Sequence, residues 1–318
     1  MTENNEETPA NRSSWFRSIG PALITACVVF GPGSLLISSN VGAQYGYELL
    51  WLLLLTGLLM GTYLTMGARI GVCGGATPCT LVARRLGRPA AMLIGTTLCM
   101  ICAAFQFSNN LAVALAAGAF FPKAAVPWIV VGFNAAVILF LFNARQVYTF
   151  LERAMKVMVG VILVCFVFNL IAARPNVLGV LSGFVPSVPD GIELGLPHKA
   201  DGAILDPLIL VASLLGTTFS VAGAFFQGNL VRERNWTVKD YEGSVGDAIA
   251  GVCVLTGVSM VIMITAATVL TRGQPATDIG TLALALRPLL GSTAYWVFCV
   301  GLVAVAMNPF LINAMIGG

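Results

Sequence analysis

Apolar segments about as long as a lipid bilayer is thick follow one another along this sequence. Hydrophobic residues make up 58% of the 318 residues and charged residues 10%, and the mean hydropathy of +0.89 is far above that of soluble domains. A helix needs roughly 20 residues to cross a hydrocarbon core of about 30 Å. The sequence therefore predicts an all-α polytopic membrane protein with eight spans, at residues 20–47, 47–73, 89–121, 127–143, 156–173, 207–231, 246–270 and 288–318.

The first apolar segment is interrupted at its middle by Gly31-Pro32-Gly33. Proline lacks a backbone N–H and glycine weakens a helix, so we expect two half-helices that meet there. Backbone groups exposed at membrane depth persist only where they line a cavity. Because secondary transporters bind substrates at such breaks, this one is a candidate substrate site; a proline kink without a ligand is the alternative.

Basic residues are distributed unevenly between the two sides of the predicted bundle. Residues 1–17 form a polar tail without signal-peptide features, predicted to be disordered and cytoplasmic, and residues 18–318 form the transmembrane transporter domain. With the tail inside, 12 of the 17 Lys and Arg residues lie in inner segments and 5 in outer ones. The positive-inside rule therefore predicts a cytoplasmic N-terminus, in a plasma or inner membrane.

Several function classes are disfavoured by residue usage. The eight cysteines lie mostly in apolar stretches, and the sole histidine, His198, falls in a polar loop, so a thiolate or imidazole metal cluster is not expected. No catalytic constellation, cofactor motif or nucleic-acid-binding pattern is found. The sequence predicts that the protein is not an enzyme. Its expected partners are the lipid bilayer and a small inorganic cation or small polar solute.

The last apolar segment runs to the final residue without a polar tail. A fold of two inverted halves of five spans each would require two further spans. We therefore expect the sequence to stop within span eight of a fold with ten or more spans, and eight complete spans are the alternative.

Short motifs spaced along the chain resemble one transporter family. The first span begins GPALI and ends VGAQYGYELLW, and further matches lie at Leu151-Glu152, Ala173-Arg174-Pro175, Val185-Pro186-Ser187, Gly246-Asp247 and residues 288–292. These motifs are similar to those of the natural resistance-associated macrophage protein (NRAMP) family. The resemblance implies the leucine-transporter-like inverted-repeat fold, with spans one and six broken.

The resemblance also implies where a substrate would bind. NRAMP proteins coordinate a transition metal with the aspartate and asparagine of the first break and with the methionine of a Met-Pro-His-Asn motif in span six. At those positions this sequence has Gly31 and Ser34, and span six reads Ser220-Val221-Ala222-Gly223. A histidine further along span six is replaced by Gln227. All three side-chain ligands are changed, so no metal ligand is assigned.

The candidate substrate path runs between the two breaks, where small residues leave more room than the family's side chains would. Its predicted lining residues are Gly31, Gly33, Ser34, Ser220, Ala222, Gly223 and Gln227. None of the 14 acidic residues falls at a predicted midplane, and Asp247 is interpreted as a helix cap or dipole partner near the start of span seven. The third span offers instead a neutral set that either orients a polar solute or joins helices, namely Gln106, Ser108, Asn109 and Asn110.

Three functions are compatible with these features. The first is secondary transport of a divalent cation that is partly hydrated and Mg²⁺-like rather than Mn²⁺ or Fe²⁺, since Mg²⁺ accepts oxygen ligands and gives up water reluctantly. The second is transport of a small neutral or organic solute, because half-helix N-termini bind polar groups without side-chain charge. The third is a non-transporting receptor or scaffold that keeps the fold alone.

Overall fold

The structure is a computed structural model, and it describes residues 31–143, 174–189, 192, 198–200, 203–206, 208–233 and 236–270, with scattered positions within 160–171 and 296–313. Within these residues the chain forms nine α-helices and one β-hairpin. In chain order they are α1 (Pro32–Tyr45), α2 (Leu50–Gly74), α3 (Pro78–Leu86), α4 (Arg88–Gly118), α5 (Val126–Asn143), α6 (Val177–Ser182), β1 (His198–Ala200), β2 (Ala203–Leu205), α7 (Ile209–Thr218), α8 (Val221–Glu233) and α9 (Val238–Val269).

Membrane-spanning helices account for most of the described chain. Four segments are long and apolar enough to cross a bilayer, at Leu50–Gly74, Arg88–Gly118, Ile209–Arg232 and Ala248–Val269, and they correspond to predicted spans two, three, six and seven. The shorter apolar helix Val126–Leu139 corresponds to span four. The predicted helical membrane class is confirmed. The first half of span one, most of span five and most of span eight lie outside the described residues.

Two predicted loops contain regular structure. The connection after span two holds the helix α3, which begins with Pro78 and is capped by Thr77, whose side chain accepts a hydrogen bond from the Thr80 N–H at 3.3 Å. The long loop before span six holds the helix α6, capped by Asn176, and the antiparallel hairpin of β1 and β2, in which His198 pairs with Leu205. Hydropathy misses these elements because they are short and lie outside the apolar spans.

Helix α9 begins eight residues before the predicted start of span seven. It runs from Val238, so Asp247 lies in the helix interior, and the interpretation of this residue as a cap near the helix start is wrong. The stretch from Val238 to Gly246 is polar and includes two glycines, so its composition does not indicate a helix, and a hydropathy window detects only the part that crosses the membrane.

Small residues let α2 and α8 pack at close range. A Cβ atom on Gly67 would overlap the carbonyl oxygen of Ala224, and one on Gly71 would overlap the backbone of Gly228. Each helix therefore presents two small residues four positions apart, the spacing with which membrane helices bring their backbones together. This contact fixes the position of the second half of span six against span two.

Helix α9 packs against α1 in the same way. A Cβ atom on Gly42 would overlap the carbonyl oxygen of Met263, so α1 and α9 also meet backbone to backbone. The apolar cluster beside this contact contains Leu35 of α1 and Leu255 and Ile262 of α9, each at most 2% exposed. The second half of span one is thereby held in the centre of the bundle.

The close contact of α2 with α8 predicts a position-specific effect of a single methyl group. We expect Gly67→Ala to lower the free energy of unfolding by about 1–3 kcal/mol, because the methyl group forces the helices apart. Gly61→Ala on the same helix is the matched control, since no heavy atom lies within 4 Å of its Cβ position and alanine favours the helix. Thermal unfolding in detergent measures both, and equal melting temperatures would contradict the packing argument.

The charge distribution predicts the sidedness of two exposed positions. Leu86 at the end of α3 is 70% exposed, and Val185 in the long loop before span six is 62% exposed. In a cysteine-free background, Leu86→Cys should be protected from an impermeant maleimide added to intact cells, and Val185→Cys should be modified. The opposite pattern would place the N-terminus outside the cell.

Candidate functional site

The first break lies at the beginning of α1. Gly31 is the N-cap with an extended backbone, at φ −115° and ψ 174°, and Pro32 is the first helical residue. Proline suits this position because its missing N–H would have had no partner within the helix. The first backbone N–H groups of α1 have no partner within the helix, and they are directed toward its N-terminal end, where the break lies.

The second break separates α7 from α8 within span six. Helix α7 ends at Thr218, Phe219 is extended at φ −91° and ψ 92°, and α8 begins at Val221. The Gly223 N–H donates a hydrogen bond of 3.2 Å to Ser220 Oγ, so Ser220 is the N-cap of α8. Neither proline nor glycine lies between the two half-helices, and only the family resemblance indicated a break here.

A hydrogen bond joins the two breaks directly. Ser34 Oγ in the first turn of α1 donates to the Thr217 carbonyl oxygen at 3.0 Å. That carbonyl is one of the last four of α7, which have no partner within their own helix. Ser34 therefore satisfies a backbone group that the break in span six exposes, and it sets both breaks at the same depth.

A small cavity lies between the breaks. About 20 Å³ of it is open to the centre of a water molecule, room for roughly one water. The lining residues come from the two breaks, from α4 and from span eight, and they are Gly31, Gly33, Ser34, Phe105, Ser108, Asn109, Ser220, Pro309 and Asn313. Every polar side chain in this lining is a neutral hydroxyl or amide.

Asn109 is held in the cavity wall by a chain of amides. It is 3% exposed, and its Nδ2 donates to Gln106 Oε1 at 3.3 Å, while Gln106 Nε2 donates to the Phe310 carbonyl oxygen at 3.3 Å. A Cβ atom on Gly31 would lie 3.5 Å from Asn109 Oδ1, so this oxygen lies beside the first break. The amide donor is thus used within the protein and the oxygen borders the cavity.

The neutral set of span three divides into two roles. Ser108 and Asn109 line the cavity, and Ser108 Oγ would lie 3.1 Å from a Cβ atom on Gly33. Asn110 instead accepts a hydrogen bond of 2.7 Å from Asn134 Nδ2 on α5, which joins two helices. Adjacent asparagines therefore face different neighbours because successive residues of a helix are about 100° apart.

The structure places four of the seven predicted lining residues around one cavity. Gly31, Gly33, Ser34 and Ser220 border the cavity, whereas the remaining three lie along α8 beyond it. Ala222 is buried against Leu98 and Cys102 of α4, and a Cβ atom on Gly223 would lie 3.0 Å from the Met60 methyl group of α2. That these two residues line a substrate path stays a prediction.

Gln227 lies two turns along α8 from Ser220. Its side chain is 4% exposed, and its Oε1 has no hydrogen-bond partner in the described part of the chain. A buried amide oxygen without a partner costs free energy unless water or a solute reaches it. That Gln227 lines the substrate path therefore stays a prediction.

Sequence reasoning missed three lining residues, Phe105, Pro309 and Asn313. Asn313 is a polar residue in the apolar final segment, a signal that could have been used. Pro309 has its Cγ 3.6 Å from the Cβ position of Gly31 and closes one side of the cavity with carbon atoms. Phe105 follows the apolar pattern of span three, and its role depends on packing that the sequence does not indicate.

The chemistry of this site is that of neutral oxygen ligands. In the part of the chain that the structure describes, no three His, Cys, Asp or Glu side chains lie together where they could hold a metal ion. The available groups are serine hydroxyls, asparagine amides and the backbone groups of the two breaks. Such groups orient water or a hydrated ion by hydrogen bonds and dipoles.

Comparisons with known proteins identify the family. Residues 22–318 match the family described as natural resistance-associated macrophage protein-like. The divalent metal cation transporter MntH of Chromohalobacter salexigens is 26% identical, over 96% of this chain and 70% of its own length, and that of Acidiphilium cryptum is 27% identical, over 97% and 70%. A crystal structure of the Eremococcus coleocola manganese transporter matches at a TM-score of 0.72 and 19% identity, over 98% of this chain and 67% of that one.

The structural match confirms the predicted fold. Because the two sequences are only 19% identical, the match shows the fold alone. That fold is the leucine-transporter-like arrangement, with spans one and six interrupted. The breaks at Gly31 and at Phe219-Ser220 agree with that arrangement. Since the family match extends over almost the entire sequence after the polar tail, this chain belongs to the NRAMP family of integral, multi-pass membrane proteins.

Proposed function

We propose that this protein is a secondary transporter of a divalent cation, and that its site favours a partly hydrated, Mg²⁺-like ion over Mn²⁺ and Fe²⁺. The class of substrate is supported by the similarity to divalent metal cation transporters. The ion preference rests on one observation, which is that the polar side chains in the cavity lining are neutral oxygen donors.

The hydrogen bonds around the cavity favour a cation over an anion. Ser34 uses its hydroxyl hydrogen on the Thr217 carbonyl, and Asn109 uses an amide hydrogen on Gln106. Both side chains keep oxygen lone pairs that attract a cation, while Asn109 retains a second amide hydrogen and Ser220 its hydroxyl hydrogen. The C-terminal end of α7 carries a partial charge of about −0.5, but the N-terminal ends of α1 and α8 beside the same cavity carry partial positive charge, so the preference for a cation comes from the side-chain oxygens and not from the helix dipoles.

Ligand softness separates the candidate ions. Oxygen ligands suit both Mg²⁺ and Mn²⁺, whereas a thioether adds affinity for Mn²⁺ and Fe²⁺ and little for Mg²⁺, which keeps several of its waters. The positions that the family fills with aspartate, asparagine and methionine are Gly31, Ser34 and Ser220 here. An ion that keeps several waters needs less charge from the protein, which compensates for the absent carboxylate and thioether. The cavity in this structure has room for about one water, so such an ion enters only if the two breaks move apart.

Transport of a small neutral solute is the second candidate, because no charged side chain belongs to the cavity lining. Flux assays in proteoliposomes with Mg²⁺, Mn²⁺ and Ca²⁺ separate the two. Saturable Mg²⁺ uptake that exceeds Mn²⁺ uptake is expected. Uptake of none of the three ions would contradict the proposal and favour a neutral solute or a non-transporting protein, and tight, saturable Mn²⁺ uptake would contradict the preference.

Restoring the family's ligands should reverse the ion preference. We expect Gly31→Asp combined with Ser220→Met to raise Mn²⁺ binding by at least tenfold, and either change alone to do less, because the ion needs both charge and a soft ligand. Isothermal titration in detergent measures the binding. Ser220→Met also removes the N-cap of α8, which costs about 1 kcal/mol, so Ser220→Ala is the control for lost capping. A double variant that binds Mn²⁺ no better than the wild type would count against the site.

The bond between the breaks predicts a second effect on transport. We expect Ser34→Ala to reduce ion flux several-fold, since it removes a cavity oxygen and a bond worth about 1 kcal/mol. Ser38→Ala, one turn further along α1, is the matched control because Ser38 is also buried but does not border the cavity. Equal flux in both variants would show that the cavity lies off the transport path.

A further inference from the structure

A second cavity lies far from the breaks, on the side of the bundle where α2 and α9 run past each other. It is a groove of about 550 Å³, within the range of roughly 300–1,000 Å³ that is usual for small-molecule sites. Three glycines form part of its lining, Gly57 and Gly61 on α2 and Gly257 on α9. Around Gly61 and Gly257 no atom lies within 4 Å of the Cβ position, so the groove exists because these side chains are missing.

The groove presents an apolar surface even though threonines line it. Thr62 donates its hydroxyl hydrogen to the Leu59 carbonyl at 2.7 Å, and Thr65 donates to the Thr62 carbonyl at 2.8 Å. Both hydroxyls are therefore satisfied within their own helix, while Thr256 Oγ1 is buried and has no hydrogen-bond partner in the described part of the chain. The surrounding side chains are aliphatic and open to the membrane, with Leu58 63% and Ile249 47% exposed. This surface matches a hydrocarbon chain.

The groove runs lengthwise along two helices. Its α2 wall extends from Leu54 to Thr65, about 16 Å at 1.5 Å per residue, and its α9 wall from Tyr241 to Met260, about 28 Å. Both walls are at least as long as one acyl chain, which reaches about half of a hydrocarbon core of about 30 Å. At the Thr65 end, Tyr241 Oη donates to the Thr65 carbonyl at 3.3 Å and ties the start of α9 to α2. This hydrogen bond marks the Thr65 end of the groove.

A basic residue lies one helical turn beyond the Thr65 end of the groove. Leu58, Thr62, Thr65 and Arg69 follow one another at steps of four, three and four residues, so Arg69 lies on the same face of α2 as the groove. Arg69 is exposed, and it forms no ion pair with any of the described residues. It is also one of the residues that the charge count places on the inner side, where anionic lipids are concentrated.

We propose that this groove binds an anionic phospholipid of the inner leaflet, with one acyl chain along Gly61, Gly257 and Leu58 and the phosphate at Arg69. The acyl chain fills the space left by Gly61 and Gly257, and it is held by van der Waals packing, because it moves there from lipid and not from water. The guanidinium group forms paired hydrogen bonds to phosphate oxygens, which gives the preference for this head group.

Two variants of the complete chain separate the contributions of the acyl chain and of the phosphate. Gly61→Leu fills the groove at an open position, and Arg69→Gln removes the charge without changing the groove. The matched controls are Gly95→Leu, at an open glycine of α4 outside the groove, and Arg84→Gln, on α3. The probes are phosphatidylglycerol and phosphatidylcholine with identical acyl chains, added to delipidated protein in detergent. Native mass spectrometry and the lipid-induced shift in melting temperature are the readouts.

The wild type should bind phosphatidylglycerol at least fivefold more tightly than phosphatidylcholine. Gly61→Leu should weaken binding of both lipids several-fold, Arg69→Gln should abolish only the preference for phosphatidylglycerol, and both controls should behave as the wild type. Equal binding in the wild type and in both groove variants would overturn the proposal. So would efficient disulfide dimers of Leu58→Cys in a cysteine-free background, because they would place a second copy of the chain in the groove.

Discussion

The structure depends on the requirement that backbone polar groups in hydrocarbon find partners inside the protein. Both broken spans expose such groups, and each break is repaired by a serine. Ser34 donates to the Thr217 carbonyl at the end of α7, and Ser220 accepts from the Gly223 N–H at the start of α8. Each break is therefore stabilised by the same side chain that borders the cavity, so the site and the fold cannot be varied independently at these two positions.

Glycine contacts decide where those breaks lie relative to the rest of the bundle. Gly42 brings α1 against α9, and Gly67 and Gly71 bring α8 against α2. Backbone-to-backbone contacts of this kind leave little freedom for sliding, because any methyl group at these positions would overlap a neighbouring helix. Where glycines face no neighbour, as at Gly61, they leave a groove instead. The same residue type thus either closes an interface or opens a surface, according to what lies opposite.

The sequence was sufficient for the class, for most described spans and for the first break, since apolar length and the Gly31-Pro32-Gly33 interruption are properties of single segments. It was not sufficient for the break at Ser220, which carries no proline or glycine and came only from family resemblance. The early start of α9 and the helix α3 were missed because hydropathy registers membrane depth rather than helicity. Phe105 and Pro309 join the cavity through tertiary packing, which no local pattern encodes.

A cavity of neutral oxygens changes how selectivity is achieved. A carboxylate binds a divalent ion by replacing its hydration, and a thioether then distinguishes soft ions from hard ones. At Gly31 and Ser220 neither group is present, so under the proposed function an ion would keep part of its water and would be held by the lone pairs of Ser34 and Asn109. Binding of this kind is expected to be weak, because neutral ligands offset less of the lost hydration. Weak binding suits an ion that is abundant and exchanges water slowly, and this physical reason favours Mg²⁺ over scarce transition metals as the proposed cargo.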